Sequence, residues 1–384
     1  MERYQRRTLL GGTGRSMLVA LVPGCTSIGP TRLDRDQLDY ARVMAEAGKR
    51  QTLFNLVRMR YGEPPAFLAI RQVVSGYTMQ GTLQAGVNAY PSANSSTFGA
   101  LLGTAQYTDR PTFTLNPVTG EQFVEAYLRP FAPADVLPLI QGGIPVDLLF
   151  RLIAQSIGPI QNIHPLGGPN RSGSPEFLQL LSWLSQLQEG GALRVRLHRH
   201  KEQTRVYIAL DTSRAPALRG ISARVFELLS VDPSLREVEV IYGAAQGRQR
   251  AREIPVLTRS LLNVLYAIAA EIELPDEDVS ARRAPPTLRE PGNPRPSIVV
   301  RSAPSRPTGA YAAVLVGGTW YWVDDTDYPS KLAFTILELL KSIAEGTRGS
   351  AQPVLTIPTG GAEPRVPSAI DLSSSRIVKA SFEG

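Results

Sequence analysis

Between Arg71 and Asp109 the chain carries no charged residue, in a sequence whose charged content is 20%. Residues in that stretch alternate. Tyr77, Met79, Gly81, Leu83, Ala85, Val87 and Ala89 fall on one side of an extended chain; Thr78, Gln80, Thr82, Gln84 and Asn88 fall on the other. Such period-two alternation specifies a strand, and about thirteen residues is long for one in a globular domain. Pro91 to Thr97 is turn chemistry, and a second extended, Gly-rich segment runs from Phe98 to Tyr107. The expectation is one long uncharged β-hairpin, Gly76–Tyr107. Membrane β-strands need about 9–11 residues of alternating polarity and must close so that no edge is left unpaired. One hairpin cannot close alone, whereas one hairpin from each subunit of a ring can. Gly81, Ala85 and Ala89 make the apolar side weak. An ordinary sheet packed on the protein's own helices and a flexible insertion therefore stay open beside the membrane or oligomer reading.

Cys25 is the only cysteine. The run Leu21-Val22-Pro23-Gly24-Cys25 reads as a lipobox, where the thiol is lipidated and the chain is cut before it. Arg3, Arg6, Arg7 and Arg15 give a basic start and Met17 to Val22 a short apolar run, the order of an export signal. That run is far shorter than the roughly 20 residues of a membrane-spanning helix. Arg6-Arg7-Thr8-Leu9-Leu10 also resembles a twin-arginine signal, so the export route stays open. Residues 1–24 are therefore expected as a signal peptide and Cys25 as the lipidation site, which holds the protein to a membrane. A cytosolic chain with a buried free cysteine is the alternative, kept open by the unusual Pro23. The net charge of +7 falls to about +4 once the leader's four arginines and Glu2 are set aside, too little and too scattered for nucleic acid.

Along the remaining chain, residues 25–65 read as a tether and a helix over Asp34–Arg60, either continuous or split at Gly48, which Pro64-Pro65 ends. Residues 66–165 hold the hairpin and helices around Glu121–Leu128 and Val146–Ile157. Gly158 to Pro175 is rich in Gly, Pro, Asn and Ser and marks a domain boundary. Residues 166–359 then read as an α+β domain, with a helix over Glu176–Gln188 and a hairpin of Leu193–His200 with Arg205–Leu210. A helix over Ser222–Leu229, a strand over Glu237–Tyr242 and a helix over Ile254–Ile272 follow. Strands are expected over Ser297–Arg301, Tyr311–Val316 and Thr319–Val323, then a helix over Ser330–Glu345 and a strand over Pro353–Ile357. Residues 360–384 read as a loosely ordered tail. The class is α+β: an N-terminal helix and long β-hairpin region, then a mixed, mostly antiparallel sheet with helices.

Chemical motifs are sparse. His198 and His200 share one strand face, but Arg194 and Arg196 share it too, and the third histidine, His164, lies in a distant loop. Asp324, Asp325 and Asp327 follow an aromatic strand; they read as oxygen ligands for a divalent cation or as a turn whose Asp327 or Ser330 caps the next helix. Trp320 and Trp322 share one strand face and form a ligand platform or an interface stripe. No G-x-S-x-G, S-x-x-K, H-E-x-x-H or Gly-rich phosphate loop occurs. No catalytic residue, cofactor or metal ligand is therefore assigned, and Trp320, Trp322, Asp324 and Asp325 stand as the candidate ligand or interface residues.

The segments Asn55-Leu56-Val57-Arg58-Met59-Arg60-Tyr61, Asp109-Arg110-Pro111-Thr112-Phe113-Thr114 and Trp320-Tyr321-Trp322-Val323-Asp324-Asp325 with Ser330-Lys331 resemble a family of uncharacterised proteobacterial lipoproteins. That resemblance implies an envelope lipoprotein and no activity. Thr26 rather than Asp after Cys25 favours the outer membrane, facing the periplasm. The expected role is structural or in assembly, as a homo-oligomer or with an envelope protein partner. The alternatives are a monomeric periplasmic binding protein using the Trp320/Trp322 strand, and an envelope hydrolase using Asp324, Asp325 or His164.

Overall fold

The computed structural model describes residues 30–88, 98–166, 173–200, 203–244, 252–289, 295–346 and 354–356. Cys25 and its leader, the expected turn at 91–97 and the expected tail at 360–384 lie outside the described residues. The chain divides into two units, Met1–Thr52 and Leu53–Gly384. Helix α1 runs unbroken over Pro30–Arg60, so of the two open alternatives the continuous helix forms. A single glycine costs a helix only about 1 kcal/mol relative to alanine, which the flanking turns absorb. Pro30 suits the start, where its missing N–H costs no intrahelical bond.

Strands β1 (Leu68–Asn88) and β2 (Phe98–Pro117) form the long hairpin. Phe67 anchors its base: buried, it stacks on Tyr127 at 3.9 Å between ring centroids, and its carbonyl accepts from Val118 N at 2.9 Å. A short helix α2 (Gly120–Phe123) widens into a π-helical turn, Val124–Leu128, that carries Tyr127. Short helices α3 (Pro133–Val136) and α4 (Pro138–Gln141) lead to α5 (Val146–Ile153). The helix expected over Val146–Ile157 stops at Ile153, because Ala154 is extended and opens strand β3 (Ala154–Ile157), which pairs with β4 (Ile160–Gln161).

Helix α6 (Glu176–Glu189) ends at Gly190-Gly191, Gly191 taking the positive φ of 68° that suits a helix terminus. Strands β5 (Leu193–His200) and β6 (Gln203–Leu210), helix α7 (Arg219–Leu228) and strand β7 (Val238–Tyr242) follow. The helix expected over Ile254–Ile272 is instead strand β8 (Glu253–Thr258) and helix α8 (Leu261–Glu271), with the Ser260 hydroxyl accepting from Asn263 N as the cap. Continuous apolar burial on both elements hides the change of period.

Strands β3 to β8 form one sheet in the order β4-β3-β8-β7-β6-β5, antiparallel except for the β7–β8 pair. Because β3 pairs with β8, the sheet crosses the boundary expected at 165/166. Helices α5, α6 and α7 lie over one face, where Phe150, Leu184 and Phe226 line a small apolar cavity together with Ile208, Val238, Ile254 and Val256 of the sheet.

After a short helix α9 (Asp276–Ser280) come β9 (Arg301–Ala303), β10 (Ala310–Val316) and β11 (Thr319–Asp324), an antiparallel sheet with β11 central. The first of these was expected over Ser297–Arg301 and forms at Arg301–Ala303 instead. Gly317 and Gly318, with φ of 56° and 85°, make the two-residue turn between β10 and β11. Helix α10 (Tyr328–Gly346) packs on this sheet, its Phe334 ring edge-on to Tyr311 at 5.7 Å. Strand β12 (Val354–Thr356) pairs in parallel with Gln72–Val74 of β1. The class is α+β, as expected.

Candidate functional site

Alternation along β11 sorts its residues. Tyr321 and Val323 are fully buried, while Trp320 and Trp322 are half-buried on the opposite face. Register places Leu315 and Ala303 beside Trp320, and Ala313 and Arg301 beside Trp322. The Arg306 guanidinium lies 5.5 Å from the Trp320 ring centroid. The two tryptophans therefore do share a flat, mostly apolar face.

The acidic turn after β11 is occupied by its own neighbours. Asp324 Oδ1 accepts from the Thr326 hydroxyl and amide, which hold its carboxyl below the usual range. Asp325 pairs with Lys331 at 2.7 Å. Asp327 caps α10: its Oδ2 accepts from the Ser330 hydroxyl at 2.7 Å and its Oδ1 from Arg295 at 2.6 Å. Burial would raise the Asp327 pKa, but these donors outweigh it and the net shift is downward. Among the described residues no group of three or more His, Cys, Asp or Glu is placed to hold a metal ion. His198 stands 3.8 Å from Glu237 and 4.7 Å from the Tyr207 ring, and the side chain of His200 lies outside the described set. Arg194 and Arg196 pair with Asp211 and Glu237.

The end of α1 and strand β11 meet. Tyr61 follows α1, and its hydroxyl donates to Asp278 at 2.6 Å and lies 2.6 Å from the Tyr321 hydroxyl. Burial, then these two hydrogen bonds, push the Tyr61 pKa well above its ordinary value; the bond from Tyr61 draws that of Asp278 down. Asn55 locks the same helix end to the chain beyond it, exchanging two 2.9 Å bonds with the Ala66 backbone. These residues act as a structural junction.

Among the described residues, the α+β body contains small cavities. One, about 10 Å³, is lined by Arg151, Asn162, Arg259, Glu271 and Ser297; another, about 20 Å³, is apolar. Each has room for about one water and not for a small-molecule ligand of ordinary size. The buried Arg259 guanidinium at the first donates to the carbonyls of Arg151, Leu152 and Ile163, tying the end of α5 to the segment after β4.

The hairpin has the most distinctive arrangement. Its register runs from Leu68 opposite Pro117 to Asn88 opposite Phe98, about 70 Å at 3.3–3.4 Å per residue. Met79 sits opposite Tyr107, Gly81 opposite Ala105, Leu83 opposite Gly103, Ala85 opposite Leu101 and Val87 opposite Gly99. The intervening rows pair Thr78 with Thr108, Gln80 with Gln106, Thr82 with Thr104 and Gln84 with Leu102. Residues directly opposite in register share a face, so both strands place apolar residues on one face and mostly neutral polar residues on the other. Only the alternation of β1 was foreseen; Thr104, Gln106 and Thr108 carried the same signal on β2. Past Val74, β1 has no neighbour but β2 among the described residues, and β2 has none but β1. Among the described residues the ribbon thus runs from Ser75 and Pro111 to Asn88 and Phe98 with both edges unpaired. Among the described residues no helix is long and apolar enough to cross a membrane.

Compared with known proteins, the chain matches no family model, no curated protein and no solved structure.

Proposed function

We propose that this chain is a lipid-anchored lipoprotein of the cell envelope, held at the periplasmic side of the outer membrane by a lipid on Cys25. It acts as a homo-oligomer whose hairpins join into a shared β-structure in or at that membrane. The observation that carries this reading is the ribbon beyond Val74, with one mostly apolar face, one face of mostly uncharged polar residues and, among the described residues, both edges unpaired. A two-stranded ribbon is marginal in water by itself, and open edges are templates for further pairing. Pairing the β1 edge of one copy with the β2 edge of the next satisfies both edges and, in a ring, leaves none open. The apolar rows from Met79 to Val87 cover nine residues, within the roughly 9–11 that a tilted membrane strand needs. Asp109, in the next row toward the base opposite Tyr77, marks where that span ends.

The test is the native mass of the full-length lipidated protein in mild detergent, by light scattering, with negative-stain images of the same peak. A ring is expected, and deletion of residues 76–107 is expected to leave a folded monomer. A monomeric full-length protein, or a ring that survives the deletion, overturns the proposal. The Trp320/Trp322 face favours a second reading, a monomeric binding protein, which predicts a saturable ligand lost in Trp322→Ala.

A further inference from the structure

We infer that the ring forms an anion-preferring channel whose selectivity is set by Arg110. The inference rests on the shared β-structure proposed above. Between the row Gly76–Arg110 and the row Asn88–Phe98, the polar face carries Thr78, Thr108, Gln80, Gln106, Thr82, Thr104 and Gln84, then Leu102, Gly86 and Ala100 toward the far end, and no carboxylate. Arg110, opposite Gly76, is its one charged position, and the absence of a side chain on Gly76 leaves the row with no second charged group. The only other charge in this part of the ribbon, Asp109, falls on the opposite, apolar face. The two charges next to each other in sequence are therefore separated by the pleat.

A ring closed with its apolar face toward lipid has the Thr and Gln rows toward water, as membrane barrels require. One Arg110 per copy then stands in a circle at the base end of a neutral wall. Amides and hydroxyls pass hydrated solutes of either sign. A ring of arginines at one mouth attracts anions and repels cations, the same device that charged rings supply in other pores. The chemistry points to small hydrated anions, with neutral hydrophilic solutes passing unopposed.

The experiment is single-channel recording of full-length lipidated protein in a planar bilayer under a KCl gradient, with the reversal potential as readout. The wild type is expected to favour chloride several-fold, Arg110→Gln to bring the reversal potential close to zero, and Arg110→Glu to invert its sign. Asp109→Asn, on the other face, is expected to leave it unchanged. Conducting rings whose selectivity ignores Arg110→Glu, or follows Asp109→Asn as strongly as Arg110→Gln, overturn the inference while the oligomeric reading stands. Monomers without conductance overturn that reading and the inference with it. Negative-stain images of each variant show whether the ring has formed, so loss of assembly is not mistaken for loss of selectivity.

Discussion

The hydroxyls of Tyr61 and Tyr321, 260 positions apart in sequence, lie 2.6 Å from each other. Tyr61 gives its proton to Asp278, which as a carboxylate only accepts, so Tyr321 donates to Tyr61. This direction orders two substitutions. Tyr321→Phe removes one hydrogen bond and leaves Tyr61 still donating, at a cost of about 1 kcal/mol. Tyr61→Phe leaves both the Tyr321 hydroxyl and Asp278 without this partner, at a cost of about 1–3 kcal/mol. Denaturant midpoints are expected to fall more for Tyr61→Phe, and the reverse order would show that the chain of donation runs otherwise.

The same cluster predicts how stability varies with pH. The Asp278 pKa is held below that of the unfolded chain, chiefly by the bond from Tyr61. Its contribution is therefore present above the unfolded value near about 4 and is lost as pH falls through the folded value. Tyr61 and Tyr127 are shifted upward, by burial first, and Tyr127 also donates to Glu345. Their contribution is present below about 10 and is lost as pH rises above it, where the unfolded chain ionises first. Thermal midpoints are expected to form a plateau that falls at both ends. In Tyr61→Phe both limbs are expected to become shallower.

Ser330 joins the start of α10 to the segment before β9. Its fully buried hydroxyl donates to Asp327 and accepts from Val299 N at 2.9 Å. Ser330→Ala strands that amide and removes the hydroxyl donor to Asp327 Oδ2, with an expected loss of about 1–3 kcal/mol. Asp327→Asn keeps the cap geometry and is expected to cost less. Chemical denaturation of both variants compares them, and equal losses would place the effect in the ion pair with Arg295 rather than in the serine.

What the sequence made legible follows from how local each signal is. The hairpin was readable because alternation at Tyr77–Asn88 and the lack of charge are properties of neighbours. The Gly317-Gly318 turn and the helix stop at Gly190-Gly191 were readable for the same reason. The run from Ile254 to Ile272 was not, since β8 and α8 are both rich in apolar residues and the divider between them, Thr258-Arg259-Ser260, is only three residues long and is buried with them. Tyr61, Asp278 and Tyr321 come from distant segments and share no spacing. Alternation alone puts the neighbours Asp109 and Arg110 on opposite faces, but which face each shares with β1 depends on the register between the strands, which the alternation of β1 does not contain. Asp324, Asp325 and Asp327 read from spacing either as cation ligands or as a turn capping the next helix; Asp327 caps α10, and Thr326, Lys331, Ser330 and Arg295 occupy the three carboxylates.

The face assignment of the hairpin makes a prediction that needs no knowledge of what passes through it. Leu83 lies midway along the apolar rows between Met79 and Val87, and Gln80 lies on the other face. A lysine on a lipid-facing position near the middle of a membrane costs about 2–4 kcal/mol, and every copy in a ring incurs it, whereas a water-facing position tolerates the charge. Leu83→Lys is therefore expected to abolish conducting rings while circular dichroism shows the α+β body still folded. Gln80→Lys is expected to assemble and conduct, with a stronger preference for anions. If Leu83→Lys assembles and conducts like the wild type, the apolar face does not meet lipid and the ribbon pairs in water. If Gln80→Lys is the variant that fails, the two faces are exchanged.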